Sequence, residues 1–114
     1  MSNDILLSRT SVRMVQSTFE GSVELIRSDF ILVDLLVSNL SDGMATVIAT
    51  DGERQVIIAS VQPQTTFSHA FRGGWLFWKG AKLVIVKESN DGVINSSAGF
   101  LKATGPNYNV WRNK

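Results

Sequence analysis

The chain is predicted to be all-β, a sandwich or barrel of eight or nine short strands. Three observations lead there. Turn signals recur at short intervals: Asn39 to Gly43, Asp51-Gly52, Pro63, Gly73-Gly74, Gly80 and Asp91-Gly92. Three of them contain Asp-Gly, the dipeptide that most readily supplies the positive φ angles of tight hairpins. The segments between them are rich in Val, Ile, Thr and Phe, too short for ordinary helices, and no window shows a 3.6-residue apolar period with caps. Short strands separated by regular turns close into a sandwich or barrel.

Taken in order, strands are expected near 5–15, 18–26, 30–38, 44–50, 54–61, 65–71, 75–79, 81–87 and 93–103. Ile31 to Val37 has the composition of a buried helix, but its β-branched residues and the turn that follows favour a strand. Alternation puts Ile31, Val33, Leu35 and Val37 on a core face and Phe30, Leu32, Asp34 and Leu36 on the opposite one. In 81–87, Leu83 and Ile85 oppose Lys82, Val84 and Val86. An isolated antiparallel sandwich alternates more cleanly than this. The apolar residues left on outer faces predict self-association.

The stretch from Phe67 to Gly80 concentrates aromatic residues around Gly73-Gly74. If these glycines form a two-residue turn, Arg72 faces Trp75, Phe71 faces Leu76, Ala70 faces Phe77 and His69 faces Trp78. Phe67, His69, Phe71, Leu76 and Trp78 then share one face, and Phe67, Phe71 and Trp78 are read as core. Ser68, Ala70, Arg72, Trp75, Phe77 and Lys79 share the other. A solvated sheet face rarely holds a Trp beside a Phe, so Arg72, Trp75, Phe77 and Lys79 are expected at a subunit or partner interface. Asp34 joins them: flanked by apolar residues, it either is buried with a partner such as an Arg across that interface, the preferred reading, or faces water in a wide groove.

At 114 residues the chain makes one domain, able to bury roughly 65% of its unfolded surface. Residues 1–104 are assigned to the sandwich and 105–114 to a C-terminal arm. Disordered tails are poor in aromatics, so Tyr108, Val110 and Trp111 are read as anchors that dock the arm on its own sheet or a neighbour.

Composition removes several function classes. There is no Cys, which excludes disulfides, thiolate zinc sites and thiol catalysis. The single His, His69, lies between Phe67 and Phe71 by alternation and reads as structural rather than as a base. Asp42, Asp51 and Asp91 are accounted for by their turns. Glu20 and Glu24 share a strand face about 13 Å apart, too far for a glycosidase pair. Neither a phosphate-cradling loop nor a full calcium loop is present. No catalytic residue, metal or cofactor is therefore expected, and the protein is read as no enzyme. A net charge of +1 with scattered charges lacks the electrostatic footprint of a nucleic-acid binder. Phe30 to Val37 is too short to span a bilayer and is interrupted by Asp34, and the acidic start is no signal peptide. Neither nucleic acid nor membrane is an expected partner, and the lack of Cys suggests a reducing compartment.

One run carries a family resemblance. Between Gly52 and Leu101 come Arg54 to Ile58, Pro63 to Thr66, and Phe71 to Val86, in which Gly80-Ala81-Lys82-Leu83 opens a strand; an Asp-Gly turn and Ser97 to Lys102 follow. This pattern resembles small all-β virion proteins of tailed bacteriophages, over less than half the chain. The resemblance implies a single jelly-roll-like antiparallel β-sandwich, a homotrimer that decorates or cements a capsid, with the major capsid protein or another virion protein as partner; it is expected in the virion, made in the host cytoplasm and not secreted. The alternative is a receptor- or carbohydrate-binding module of a tail fibre or adaptor, with Trp75 or Trp78 stacking on a glycan.

Overall fold

The computed structural model describes residues 10–52 and 54–103. Eight strands follow in order: β1 (Ser11–Ser17), β2 (Gly21–Arg27), β3 (Phe30–Asn39), β4 (Ala45–Thr50), β5 (Gln55–Val61), β6 (Thr65–Phe77), β7 (Lys82–Lys87) and β8 (Ile94–Lys102). They form two four-stranded sheets, β1-β8-β3-β6 (sheet A) and β2-β7-β4-β5 (sheet B), with every pairing antiparallel. That strand order is the jelly roll, so the predicted fold class is the observed one.

The core lies between the sheets. Its alternating donors are Phe30, Leu32, Leu35 and Val37 from β3, Val47 and Ala49 from β4, Leu83 and Ile85 from β7, and Ile94 and Ala98 from β8. Phe30 and Phe77 stack at 5.2 Å between ring centroids, and both are fully buried. Each such ring stabilises the fold by about 1.5–3 kcal/mol relative to exposure.

Three predictions about the strands are corrected. Gly73-Gly74 is no hairpin turn: β6 runs unbroken from Thr65 to Phe77, so the strands near 65–71 and 75–79 are one. Both glycines take positive φ, 76° and 78°, inside an excursion that places Phe71 to Gly74 opposite the single residue Val33. Trp78 is not core, since β6 ends at Phe77 and Trp78 lies half-buried beyond it, its ring under the Lys79 ammonium at 4.7 Å. On β3, Val33 is an extra residue against β8, where Leu32 pairs with Phe100 and Asp34 with Gly99. A bulge of one residue reverses which face later side chains take. Leu35 and Val37 are therefore core as expected, whereas Phe30 and Leu32 replace Ile31 and Val33 there. Ile31 joins Leu101 and Ala103 in a second, smaller buried cluster, with Val33 and Leu76 packed against it.

A polar plug closes one end of the sandwich. Asn39 is fully buried; its amide donates to the carbonyls of Gly43 and Val61 at 2.9 Å each, while its Oδ1 accepts from the Ser41 amide and hydroxyl. Beside it, the buried Lys87 donates through Nζ to the carbonyls of Ser89 and, at 2.7 Å, Asp91. Asp91 Oδ1 accepts from the Ser89 hydroxyl and, at 3.2 Å, from the Asp42 amide. The Asp-Gly turns expected at Asp42 and Asp91 thus lock the β3–β4 and β7–β8 connections together.

Candidate interaction face and aromatic edge

The outward rows of sheet A follow from register. They are Gln16-Asn95-Ser38-Thr66, Met14-Ser97-Leu36-Ser68, Val12-Gly99-Asp34-Ala70, and then Leu101-Ile31-Leu76. Asp34 is the single ionisable side chain in these rows. Three of the chain's exposed large apolar residues stand among them: Met14 at 76% exposure, Val12 at 64% and Leu36 at 42%. The equivalent rows of sheet B hold Glu24, Arg27 and Lys82, and Ile57 as their exposed large apolar residue. Depletion of charge together with exposed apolar side chains is the pattern found at the centres of protein interfaces.

Asp34 is exposed, not buried against an Arg as anticipated: its Oδ1 accepts the Gly99 amide at 3.0 Å. Gly99 makes room for it, because a Cβ there would stand 2.7 Å from that oxygen. No described basic residue forms an ion pair with Asp34; the ion pairs among the described residues are Arg27 with Glu24 and Arg54 with Asp51.

β6 borders this face as an edge strand. Its inward side carries a ladder of rings, with centroid separations of 6.3 Å from Phe67 to His69, 4.7 Å to Phe71, 5.9 Å to Trp75 and 5.1 Å to Phe77. The excursion preserves parity, so Trp75 and Phe77 point the same way as Phe67 and Phe71. Phe77 is fully buried in the core and is withdrawn from the interface residues; Trp75 is half-buried against the same core. Arg72, at the excursion, is exposed and has no ion pair among the described residues, and Lys79 is exposed in the β6–β7 connection. Tyr108, Val110 and Trp111 lie outside the described residues.

Arg54 closes the far end of the β6 edge. Its Nη2 donates to the Leu76 carbonyl at 2.9 Å and to Asp51 Oδ2 at 3.0 Å, and its guanidinium sits 4.9 Å from the Phe77 centroid. The cleft of about 80 Å³ between Asp51, Arg54, Trp78 and Lys79 falls far below the ~300–1,000 Å³ of small-molecule sites. A shallower groove of about 370 Å³ is lined by Arg27, Ser28, Gly80, Ala81 and Lys82. Its Gly80 and Ala81 amides both donate to Asp29 Oδ1 at 3.1 Å, so they are already satisfied. Arg27 is held above its ordinary pKa by its hydrogen bond and charge pairing with Glu24.

Glu20 and Glu24, the acids that share a strand face in the sequence reading, stand apart. Glu24 is paired to Arg27, while Glu20 lies in the β1–β2 connection, where its amide donates to Asn90. Among the described residues, no group of three or more His, Asp or Glu could hold a metal ion, and no helix is long and apolar enough to cross a membrane. Sequence reasoning singled out Arg72 and Asp34 but missed Val12, Met14, Ser97 and Gly99, whose common face exists only through the β1–β8–β3 register. No protein-family model matches the chain, and a search of curated proteins finds no relative.

Proposed function

We propose that the protein is a non-enzymatic structural component of a tailed-phage virion, a homotrimeric decoration protein that stabilises the capsid shell. The carrying observation is the charge-poor outer face of sheet A, with Val12, Met14 and Leu36 standing in solvent. Burying such a face contributes about 25 cal/mol per Å² before the entropic costs of association. The resemblance between Gly52 and Leu101 supplies the setting, and jelly rolls are a common capsid architecture. In this reading the arm at 105–114 reaches the major capsid protein, with Tyr108, Val110 and Trp111 as its anchors.

Light scattering on the full chain at micromolar concentration tests the assembly, with a trimer expected and a monodisperse monomer overturning it. Met14→Lys should lower the oligomer fraction while leaving the subunit's circular dichroism unchanged, because Met14 is exposed in the isolated chain. Co-sedimentation with purified shells tests the partner. Removing residues 105–114 should reduce shell binding at least tenfold, and unchanged binding would remove the arm from this role.

A further inference from the structure

Two charged residues near the interaction face are unmatched by ion pairs. Asp34 is the one ionisable group in the outward rows of sheet A, and Arg72 projects from the excursion at the rim of that sheet. Within one chain they form no ion pair with each other, and Arg72 has none with any other described residue. An acid in the middle of an apolar contact is costly unless a cation meets it there.

The size of the face says what kind of contact is needed. The row Leu101-Ile31-Leu76 is already covered, and four strands at ~4.8 Å spacing over the three remaining rows, ~7 Å apart, give about 400 Å². A stable interface buries about 800 Å² per partner. Two such faces laid on each other fall short, and would leave the β6 edge uncovered. In an edge-on ring each copy instead buries its face against one neighbour and its edge against another, so two contacts add up within each copy.

Resting on the self-assembly reading above, we infer that the occupant of this face is the β6 edge of a second copy, with Arg72 of one subunit paired to Asp34 of the next. The planar guanidinium suits a carboxylate whose Oδ1 is already engaged by Gly99, since it can meet the remaining acceptor sites. Each copy then offers an edge to one neighbour and a face to the other. Such a head-to-tail contact closes into a ring when the rotation permits, as a trimer requires.

Sedimentation equilibrium on the full chain tests the pairing. Arg72→Asp should weaken association at least tenfold, and combining it with Asp34→Arg should return association to within about threefold of the wild type. Asp34→Asn is the fold control: it keeps an oxygen for the Gly99 amide while removing the charge, and should also weaken association about tenfold. Arg72→Asp and Asp34→Asn associating like an oligomeric wild type would overturn the pairing and leave self-assembly standing. A charge-swapped double variant no better than Arg72→Asp alone would overturn it too. A monomeric wild type would instead remove the self-assembly reading on which the pairing rests.

Discussion

Lys87 ends β7 on the inward side, where its stem is out of water and its ammonium serves the carbonyls of Ser89 and Asp91. Lys87→Met keeps the stem but orphans those acceptors, and should cost about 1–3 kcal/mol in urea unfolding. Lys87→Ala adds a cavity and should cost more. The neighbouring carboxyls carry the pH dependence of this plug. Asp91 is held down to about 2, chiefly by its hydrogen bond with the Asp42 carboxyl and then by the Ser89 hydroxyl, while Asp42 is raised by the same contact with Asp91 and by its charge. The lowered group contributes stability that is in place above the ordinary carboxylate pKa and lost as pH falls through about 2. The raised group works in the opposite sense: its contribution is full below the ordinary pKa and lost as pH rises through its folded value. Asp42→Asn removes the carboxylate charge that Asp91 disfavours, so it should raise Tm by up to about 3 °C at pH 7 and by less at pH 3; a fall at pH 7 would contradict this account of the pair.

At the scale of elements, β3 and β6 show where local sequence stops being decisive. Gly73-Gly74 flanked by alternating apolar residues reads as a hairpin turn because positive φ is what such a turn demands. An excursion inside a continuing strand demands the same φ, and only pairing with β3 distinguishes the two. Gly73→Ala or Gly74→Ala should each cost about 1–2 kcal/mol by forcing a Cβ into left-handed backbone. Thermal melts check this, and an alanine variant as stable as the wild type would show that the excursion does not hold that conformation. The extra residue Val33 is equally silent in sequence. It carries no Gly or Pro signal, yet it decides that Leu35 rather than Asp34 points inward. The strands themselves were legible, because turn dipeptides and β-branched runs act locally.

At the scale of the molecule, the two sheets share a core but differ outside it. Sheet B has the charged exterior of a soluble sandwich, whereas sheet A is nearly free of charge. Composition already hinted that some outer face was apolar, and Asp34 and Arg72 were singled out from their neighbours alone. Which face it was depended on which strands are adjacent, and β1 and β8 are separated by most of the chain. That wide separation has a consequence for biosynthesis. Every outward row of sheet A passes through β8, the last of the described strands to leave the ribosome, and β1 reaches the rest of its sheet through β8 alone. A nascent chain can pair β2, β4, β5 and β7, and β3 with β6, first, but the rows that run from β1 to β6 are continuous only once residues 94–102 have emerged. In the self-assembly reading, association through the complete face therefore waits for β8.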